Sequence, residues 1–169
     1  SEGQDDAVRL AVDDQQGAGL SILTDGEQRR RHYIWGFCEG LDGIDYSHMV
    51  KIQTRGNRYG VLVDAARVVG PLRRARPSMV SALQFLRRHT DKPVKVTLPG
   101  PMTTADTLAD EHYGSRRALA MEIARLLNEE ACELAENGCD IVQFDEPCFN
   151  IYLDEVEEWG IAALERAAQ

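Results

Sequence analysis

One short stretch, residues 140–147, constrains the fold more than any other part of the chain. It reads DIVQFDEP. Its apolar residues are β-formers that lie too close together for a helical stripe, and Pro147 cannot extend a strand ladder. The stretch therefore predicts a buried strand whose C-terminal end carries Asp145 and Glu146. In a parallel α/β sheet or barrel, that end of a strand is where ligands bind.

Two further β-forming stretches end in a similar way. Residues 20–24 run into the turn at 25–27, and residues 94–98 run into PGPMT at 99–103. Helical patterns separate these stretches and predict helices over 4–16, 28–41, 78–90 (with Ser78 as the N-cap), 102–110, 115–137 and 153–168. Strands that alternate with helices and end in polar, Gly- or Pro-rich turns indicate βα units on a parallel sheet.

Residues 44–77 depart from this alternation. Residues 50–54 and 59–63 are β-forming and flank RGNR at 55–58, a pattern that predicts a hairpin. The run from Arg67 to Arg76 then mixes four arginines with apolar residues. We interpret that run as a solvated loop or a sheet edge, with an anion site as the alternative.

Charge and cysteine content exclude several classes of function. The 169 residues carry a formal net charge of -9, which argues against nucleic acid or an anionic membrane as the main partner. No apolar run approaches ~20 residues, so no transmembrane helix is expected, and the polar, acidic start excludes an intact signal peptide. The four cysteines form no C-x-x-C pair. A reducing, cytoplasmic location is therefore expected.

Glu27, Asp145 and Glu146 stand on two predicted strand ends and meet if those strands are neighbours. Such a cluster can bind an ammonium group or a divalent cation, although a single carboxylate can equally cap the following helix. We favour a functional role for Glu27 together with Asp145. The arginines at 29–31 follow at a helix start, where a cation opposes the helix dipole, so at least one should have a specific partner. Gly100 allows close approach of the backbone, or simply forms a tight turn.

Together these motifs resemble the catalytic barrel of the cobalamin-independent methionine synthase family. The matching residues are TDGE at 24–27 with Arg30, the segment 93–103, and the segment 138–147. The resemblance runs in order over nearly the whole chain. It implies that residues 1–169 form a single partial domain of a (βα)8 barrel, with about three βα units present, the first and last strands missing, and an irregular or hairpin-like insertion around 44–77.

The reaction implied by the resemblance is methyl transfer to the zinc-bound thiolate of homocysteine. Glu27 and Asp145 match the carboxylates that hold the ammonium group of the amino acid, with Glu146 and Arg30 as further substrate-binding residues. Residues expected to contact the methyl donor are Arg58, Tyr59, Gly100 and Met102. The family's zinc ligands, a His-x-Cys, a Glu and a Cys, fall in barrel strands outside this chain, and no zinc pattern occurs by spacing here.

The resemblance does not decide the methyl donor. Thr107 stands where folate-dependent members carry an indole, and Ile151 stands where they carry an acidic group. Both methyl-folate and methyl-cobalamin, or a methylated corrinoid protein, therefore remain candidate donors. The isolated fragment is expected to be inactive because the metal site is missing, and its open sheet edges invite a homodimer.

Three other functions compete with this interpretation. A zinc-dependent thiol-epoxide transferase would use a sulfonate thiol, although it would call for cations rather than carboxylates around that substrate. A magnesium-dependent lyase or aldolase would use Glu27, Asp145 and Glu146 as oxygen ligands. A non-enzymatic remnant would bind no ligand and would form a stable dimer through its sheet edge.

Overall fold

The computed structural model describes residues 1–58 and 60–169 and has a mixed α/β fold. The strands are β1 (Leu41–Gln53), β2 (Leu62–Arg74), β3 (Lys95–Pro99), β4 (Ala109–Asp110) and β5 (Ile141–Asp145). The helices are α1 (Glu2–Gly17), α2 (Tyr33–Cys38), α3 (Val80–Arg87), α4 (Pro101–Asp106), α5 (Arg116–Glu136), α6 (Leu153–Glu155) and α7 (Ile161–Ala167). Short 3₁₀ turns cover Arg55–Asn57 and Pro147–Asn150, and a π-helical turn covers Val156–Gly160.

The predicted parallel pairing is present between β3 and β5. Their register runs from Lys95 opposite Ile141 to Pro99 opposite Asp145. The strand predicted at 20–24 is reduced to one parallel bridge, Leu23 to Val94. Leu23 is fully buried there, whereas its neighbours at 20 and 22 are exposed to solvent, so only one residue is held against β3. The carboxyl ends of the segment around Leu23, of β3 and of β5 nevertheless lie along one edge.

The predicted hairpin is confirmed and is longer than expected. β1 and β2 pair antiparallel from Leu41 opposite Arg74 to Gln53 opposite Leu62. Irregularities interrupt the register after Asp42 and after Asp45. Part of the segment predicted at 59–63 lies outside the described residues, because Tyr59 is not among them.

The interpretation of 67–76 as a solvated loop is wrong, whereas a sheet edge describes its second half, because the register between β2 and β4 covers Arg67 and Val68 alone among the described residues. These residues lie mostly in β2, the middle strand of the three-stranded sheet β1-β2-β4. Two of the four arginines pair with carboxylates on neighbouring segments: Arg67 pairs with Glu111 at 2.5 Å, and Arg74 pairs with Glu130 on α5 at 2.9 Å. Long-range ion pairs therefore accommodate Arg67 and Arg74 in this strand.

Helix boundaries also differ from expectation in three places. The helix predicted at 28–41 is confined to α2, because residues 26–29 form turns and His32 caps the helix by accepting from the Trp35 N–H. Ser78 does not cap α3, since the N-cap is Met79 and the Ser78 hydroxyl instead donates to the Phe37 carbonyl at 3.0 Å. The helix predicted at 153–168 is divided into α6, the π-helical turn and α7.

Helix α5 carries the predicted apolar stripe into the core. The N-cap residue of α5 is Ser115, whose hydroxyl accepts from the Ala118 N–H at 3.1 Å. The residues at i, i+4, i+7, i+8 spacing that are fully buried are Leu119, Ile123, Leu126, Leu127 and Leu134. They fix α5 against β2, β5 and α7. Among residues 1–58 and 60–169, no helix is both long enough and apolar enough to cross a membrane.

Candidate active site

An acidic cavity of about 610 Å³ lies at the carboxyl ends of the parallel strands. Its lining residues are Glu27, Tyr33, Phe144, Asp145, Glu146, Pro147 and Asn150. The three carboxylates that the sequence placed on two strand ends are thus brought together. We call this space the acidic cavity.

A tight turn presents Glu27 to the acidic cavity. Gly26 and Glu27 both have positive φ, 62° and 57°, and the Glu27 N–H donates to Asp25 Oδ1 at 3.0 Å. For a residue with a Cβ atom the left-handed conformation costs about 1–2 kcal/mol. Arg30 lies behind this turn, with its side chain 6% exposed and Nη1 3.3 Å from Glu27 Oε1. Arg30 therefore orients Glu27 and does not itself line the cavity.

Asp145 is held by a row of polar side chains on one face of the parallel sheet. Gln143 Nε2 donates to Asp145 Oδ1 at 2.6 Å, and Lys95 Nζ donates to Gln143 Oε1 at 2.8 Å. Residues 143 and 145 share a face because strand side chains alternate. The Asp145 carbonyl also accepts from the Gly100 N–H at 2.7 Å. The carboxylate is thereby fixed at the strand end.

Glu146 lines the acidic cavity and also caps helix α4. Its carboxylate accepts from the Met102 and Thr103 N–H groups at 2.8 and 2.7 Å and from the Thr103 hydroxyl. Burial raises the pKa of Glu146, although these hydrogen bonds act in the opposite direction. Glu146 therefore caps a helix, but this helix is α4, which lies earlier in the chain, and not the helical turn that follows Glu146.

Gly100 and Met102 are both engaged around Glu146. A Cβ atom on Gly100 would lie 2.3 Å from Glu146 Oε2, so the close approach expected at this glycine is made to Glu146. The Met102 side chain is fully buried. Donor contacts of these two residues stay predictions. The same holds for Arg58, which is exposed beside the 3₁₀ turn of the hairpin, while Tyr59 lies outside the described residues.

A second cavity of about 390 Å³ adjoins the first. We call it the hairpin cavity, because the tip of the β1–β2 hairpin forms one wall. Its lining residues are His32, Tyr33, Ile34, Trp35, Thr54, Arg55, Val61, Val63, Asp64 and Thr107. Its surface is more apolar and aromatic than that of the acidic cavity, so it suits a flat, largely apolar group.

Tyr33 lines both cavities and was missed by the sequence reasoning. Burial raises the pKa of its phenol, and the negative charge of Asp145 acts in the same direction. Its position as the first residue of α2, just after the turn that carries Glu27, is the signal that could have identified it. Tyr33 therefore lies between the acidic cavity and the more apolar hairpin cavity.

No group of three or more His, Cys, Asp and Glu side chains is arranged to hold a metal ion, as far as residues 1–58 and 60–169 are concerned. The carboxylates of the acidic cavity are instead engaged with Arg30, Gln143 and backbone N–H groups. The donor set of this chain therefore does not fit a zinc site, and we assign no chemical step to a metal here.

Parallel strands whose carboxyl ends carry a carboxylate-lined cavity place this protein in the α/β class, with its candidate site at the strand ends. Residues 2–168 match the family model described as cobalamin-independent synthase, catalytic domain. The chain belongs to this family.

Relatives in both sequence and structure agree with this assignment. A methionine synthase from Sulfurisphaera tokodaii is 33% identical over 165 residues, which is 96% of this chain and 47% of the relative. A 5-methyltetrahydropteroyltriglutamate–homocysteine methyltransferase from Citrobacter koseri is 31% identical over 92% of this chain and 21% of its own length. A B12-independent methionine synthase from Shewanella sp., solved in complex with selenomethionine, superposes with a TM-score of 0.92 at 50% identity, covering 99% of this chain and 48% of that one.

The chain spans about half the length of the archaeal methionine synthases it matches and 21% of the Citrobacter relative. A structure from Listeria monocytogenes with 20% identity and a TM-score of 0.75 shows the same fold. The match to the family thus covers nearly all of this chain but only part of the family's full-length members.

Proposed function

We propose that this chain forms part of a methyltransferase that converts homocysteine to methionine. The observation that carries the proposal is the placement of Glu27 and Asp145 around one cavity that shares Tyr33 with a second, more apolar cavity. Two adjoining cavities of different character suit two substrates that must meet. The names of the relatives support the same reaction.

The acidic cavity is the proposed site of the amino acid. Glu27 and Asp145 bind its ammonium group, since charge-assisted hydrogen bonds to carboxylates are strong and directional. Arg30 holds Glu27 in its strained turn, and Glu146 adds negative charge at the cavity wall while capping α4. The complex of the Shewanella relative with selenomethionine, an analogue of the product, supports an amino-acid site in this family.

The hairpin cavity is the proposed site of the methyl donor. Its apolar and aromatic walls suit a pterin ring, and the name of the Citrobacter relative specifies 5-methyltetrahydropteroyltriglutamate. Arg58, Tyr59, Gly100 and Met102 remain the proposed donor-binding residues. The family description, cobalamin-independent, favours this donor over methyl-cobalamin or a corrinoid protein.

The chemistry requires a sulfur nucleophile. The thiolate sulfur forms a bond to the methyl carbon as the bond between that carbon and the donor nitrogen breaks, and the donor nitrogen takes up a proton. The residues of this chain bind and orient the two reactants. The zinc ion implied by the family would take its ligands from outside this chain, within a complete (βα)8 barrel to which these three strand segments contribute.

The four free cysteines support a reducing, cytoplasmic setting for such an enzyme. A homodimer through the open sheet edges remains a proposal without a supporting contact.

The test uses the full-length protein that carries this chain. Glu27→Gln and Asp145→Asn should each raise the KM for homocysteine at least tenfold, with 5-methyltetrahydropteroyltriglutamate as donor, because each removes a charge from the ammonium site. Asp154→Asn, at an exposed position, is the matched control. Unchanged KM values in both variants would refute the amino-acid site.

Two further measurements separate the competing functions. Transfer from methyl-cobalamin but not from the folate donor would identify a corrinoid-dependent enzyme. Activity that requires Mg²⁺ and persists without zinc would favour the lyase or aldolase alternative, in which Glu27, Asp145 and Glu146 would ligate the metal.

A further inference from the structure

The tip of the β1–β2 hairpin has an unusual backbone. Arg55, Gly56 and Asn57 are three consecutive residues with positive φ, at 54°, 59° and 60°. Residues with a Cβ atom rarely adopt this conformation, and they retain it only when the surroundings hold them there. The tip must therefore be held by specific contacts.

Two side chains from distant parts of the chain make those contacts. Asp106 Oδ2 accepts from the Arg55 N–H at 2.8 Å. The Tyr152 hydroxyl accepts from the Gly56 N–H at 2.6 Å and donates to Asp106 Oδ1 at 2.5 Å. Consecutive backbone N–H groups of the tip are thus bound by a connected carboxylate and phenol.

Arg116 supports both of these side chains. Its Nη2 atom lies 3.4 Å from Asp106 Oδ1, and its guanidinium carbon lies 3.8 Å from the centre of the Tyr152 ring. Asp106 is only 8% exposed, so its charge requires such a partner. We call Asp106, Arg116 and Tyr152 the latch. Its members are the last residue of α4, the first residue of α5 and the residue before α6.

The tip is also packed closely against the latch. A Cβ atom on Gly56 would lie 3.3 Å from Ile151 Cγ2 and 3.6 Å from Tyr152 Cε1. Thr54 and Arg55 at this tip are walls of the hairpin cavity, and Thr107, the next residue after Asp106, lines the same cavity. The latch therefore sets the distance between two walls of one cavity.

We propose that Asp106, Arg116 and Tyr152 are positioning residues that hold the hairpin tip as a wall of the methyl-donor site. This inference rests on the proposed function for its role in donor binding. The contact between the latch and the tip can be tested without any substrate.

The first experiment measures hydrogen exchange of the tip in the full-length protein. Tyr152→Phe removes the hydroxyl that joins Gly56 to Asp106, so the amide protons of Arg55 and Gly56 should exchange at least tenfold faster. Tyr46→Phe is the matched control, because the buried Tyr46 hydroxyl has no hydrogen-bond partner within the described part of the chain. Unchanged exchange rates of the Arg55 and Gly56 amide protons in Tyr152→Phe would refute the proposal that the latch holds the hairpin tip.

The second experiment measures kinetics with homocysteine and 5-methyltetrahydropteroyltriglutamate. Tyr152→Phe and Asp106→Asn should raise the KM for the donor about tenfold and leave the KM for homocysteine within twofold. A lowered melting temperature with an unchanged donor KM would mean a merely structural role and would overturn the proposal. So would equal increases in both KM values.

The two experiments also separate this inference from the proposed function. Wild-type protein that transfers no methyl group and binds no folate donor would overturn the proposed function and, with it, the role of the latch in donor binding. Faster exchange at the tip in Tyr152→Phe would still establish the latch as the contact that holds the hairpin tip.

Discussion

Gly100 and Glu146 occupy positions that exclude any side chain on the glycine. A Cβ atom on Gly100 would lie 2.3 Å from Oε2, 2.5 Å from Cδ and 2.8 Å from Cβ of Glu146. The φ of Gly100 is -71°, which any residue adopts, so the requirement for glycine comes from this contact and not from the backbone conformation. The contact joins the end of β3 to the end of β5 beneath the acidic cavity.

Gly100→Ala should destabilise the protein by about 1–3 kcal/mol, because Glu146 must move away from the N–H groups of α4 that it caps. Urea unfolding measures the change in the free energy of unfolding. Gly70→Ala is the control, since a Cβ atom there meets no heavy atom within 4 Å. Equal stability of the two variants would show that Glu146 relocates at no cost.

The titration of Glu146 should make stability depend on pH. Burial raises the pKa of this carboxyl in the folded protein. The folded state therefore retains the proton at pH values where the unfolded state has lost it. Its contribution is fully present below the unfolded pKa and is lost as pH rises through the folded pKa. The stability of wild type relative to Glu146→Gln should consequently fall from about pH 4.5 upward, a value near the ordinary glutamate pKa.

Unfolding free energies of both proteins, measured at intervals from pH 4 to pH 8, provide the comparison. A difference that stays constant over this range would contradict the raised pKa. A difference that grows with pH would mean that the hydrogen bonds from Met102 and Thr103 outweigh burial.

Arg74→Met should destabilise the protein strongly. Glu130 is completely buried and accepts from the Ser78 and Met79 N–H groups and from Arg74. Removal of the arginine leaves a buried carboxylate without its cation, which typically costs about 3–5 kcal/mol. Thermal and urea unfolding report the loss.

Lys51→Met provides the matched control for this ion pair. Lys51 and Asp64 pair at 2.9 Å, but both side chains are more than half exposed. Exposed pairs contribute about 0–1 kcal/mol. Similar decreases in the free energy of unfolding of Arg74→Met and Lys51→Met would argue against the need for Arg74 to neutralise the buried Glu130 carboxylate.

Tyr33→Ala should impair catalysis more than binding of either substrate alone. The substitution merges the acidic cavity with the hairpin cavity, so the two reactants lose their common wall and their alignment. We expect kcat to fall at least tenfold, whereas Tyr33→Phe, which keeps the ring, should retain most of the activity. Steady-state kinetics of the full-length protein measure both. Full activity of Tyr33→Ala would refute the assignment of Tyr33 to the active site.

Local patterns were sufficient to predict much of the architecture. The periodicity of α5, the hairpin around 55–58 and the polar turns after β3 and β5 depend on residues close in sequence, and the structure contains each of them. The gathering of Glu27, Asp145 and Glu146 could also be expected, because parallel strands place their carboxyl ends on one edge.

Other features depended on contacts between residues far apart in the chain. Arg67 lies in a central strand because Glu111 neutralises it, and no local pattern indicates that partner. The shortened helix α2, by contrast, follows from a local turn that holds Glu27 beside Arg30, which the helical pattern over 28–41 does not indicate.

The sequence by itself determined which residue types stand at the strand ends, and therefore the family and the acidic character of the site. Only the tertiary structure decided that Tyr33 separates two cavities and that Tyr152 and Asp106 hold the backbone of the hairpin tip. The physical reason is that periodicity and turn chemistry act over a few residues, whereas a hydrogen bond between Tyr152 and Gly56 requires the intervening chain to be packed first.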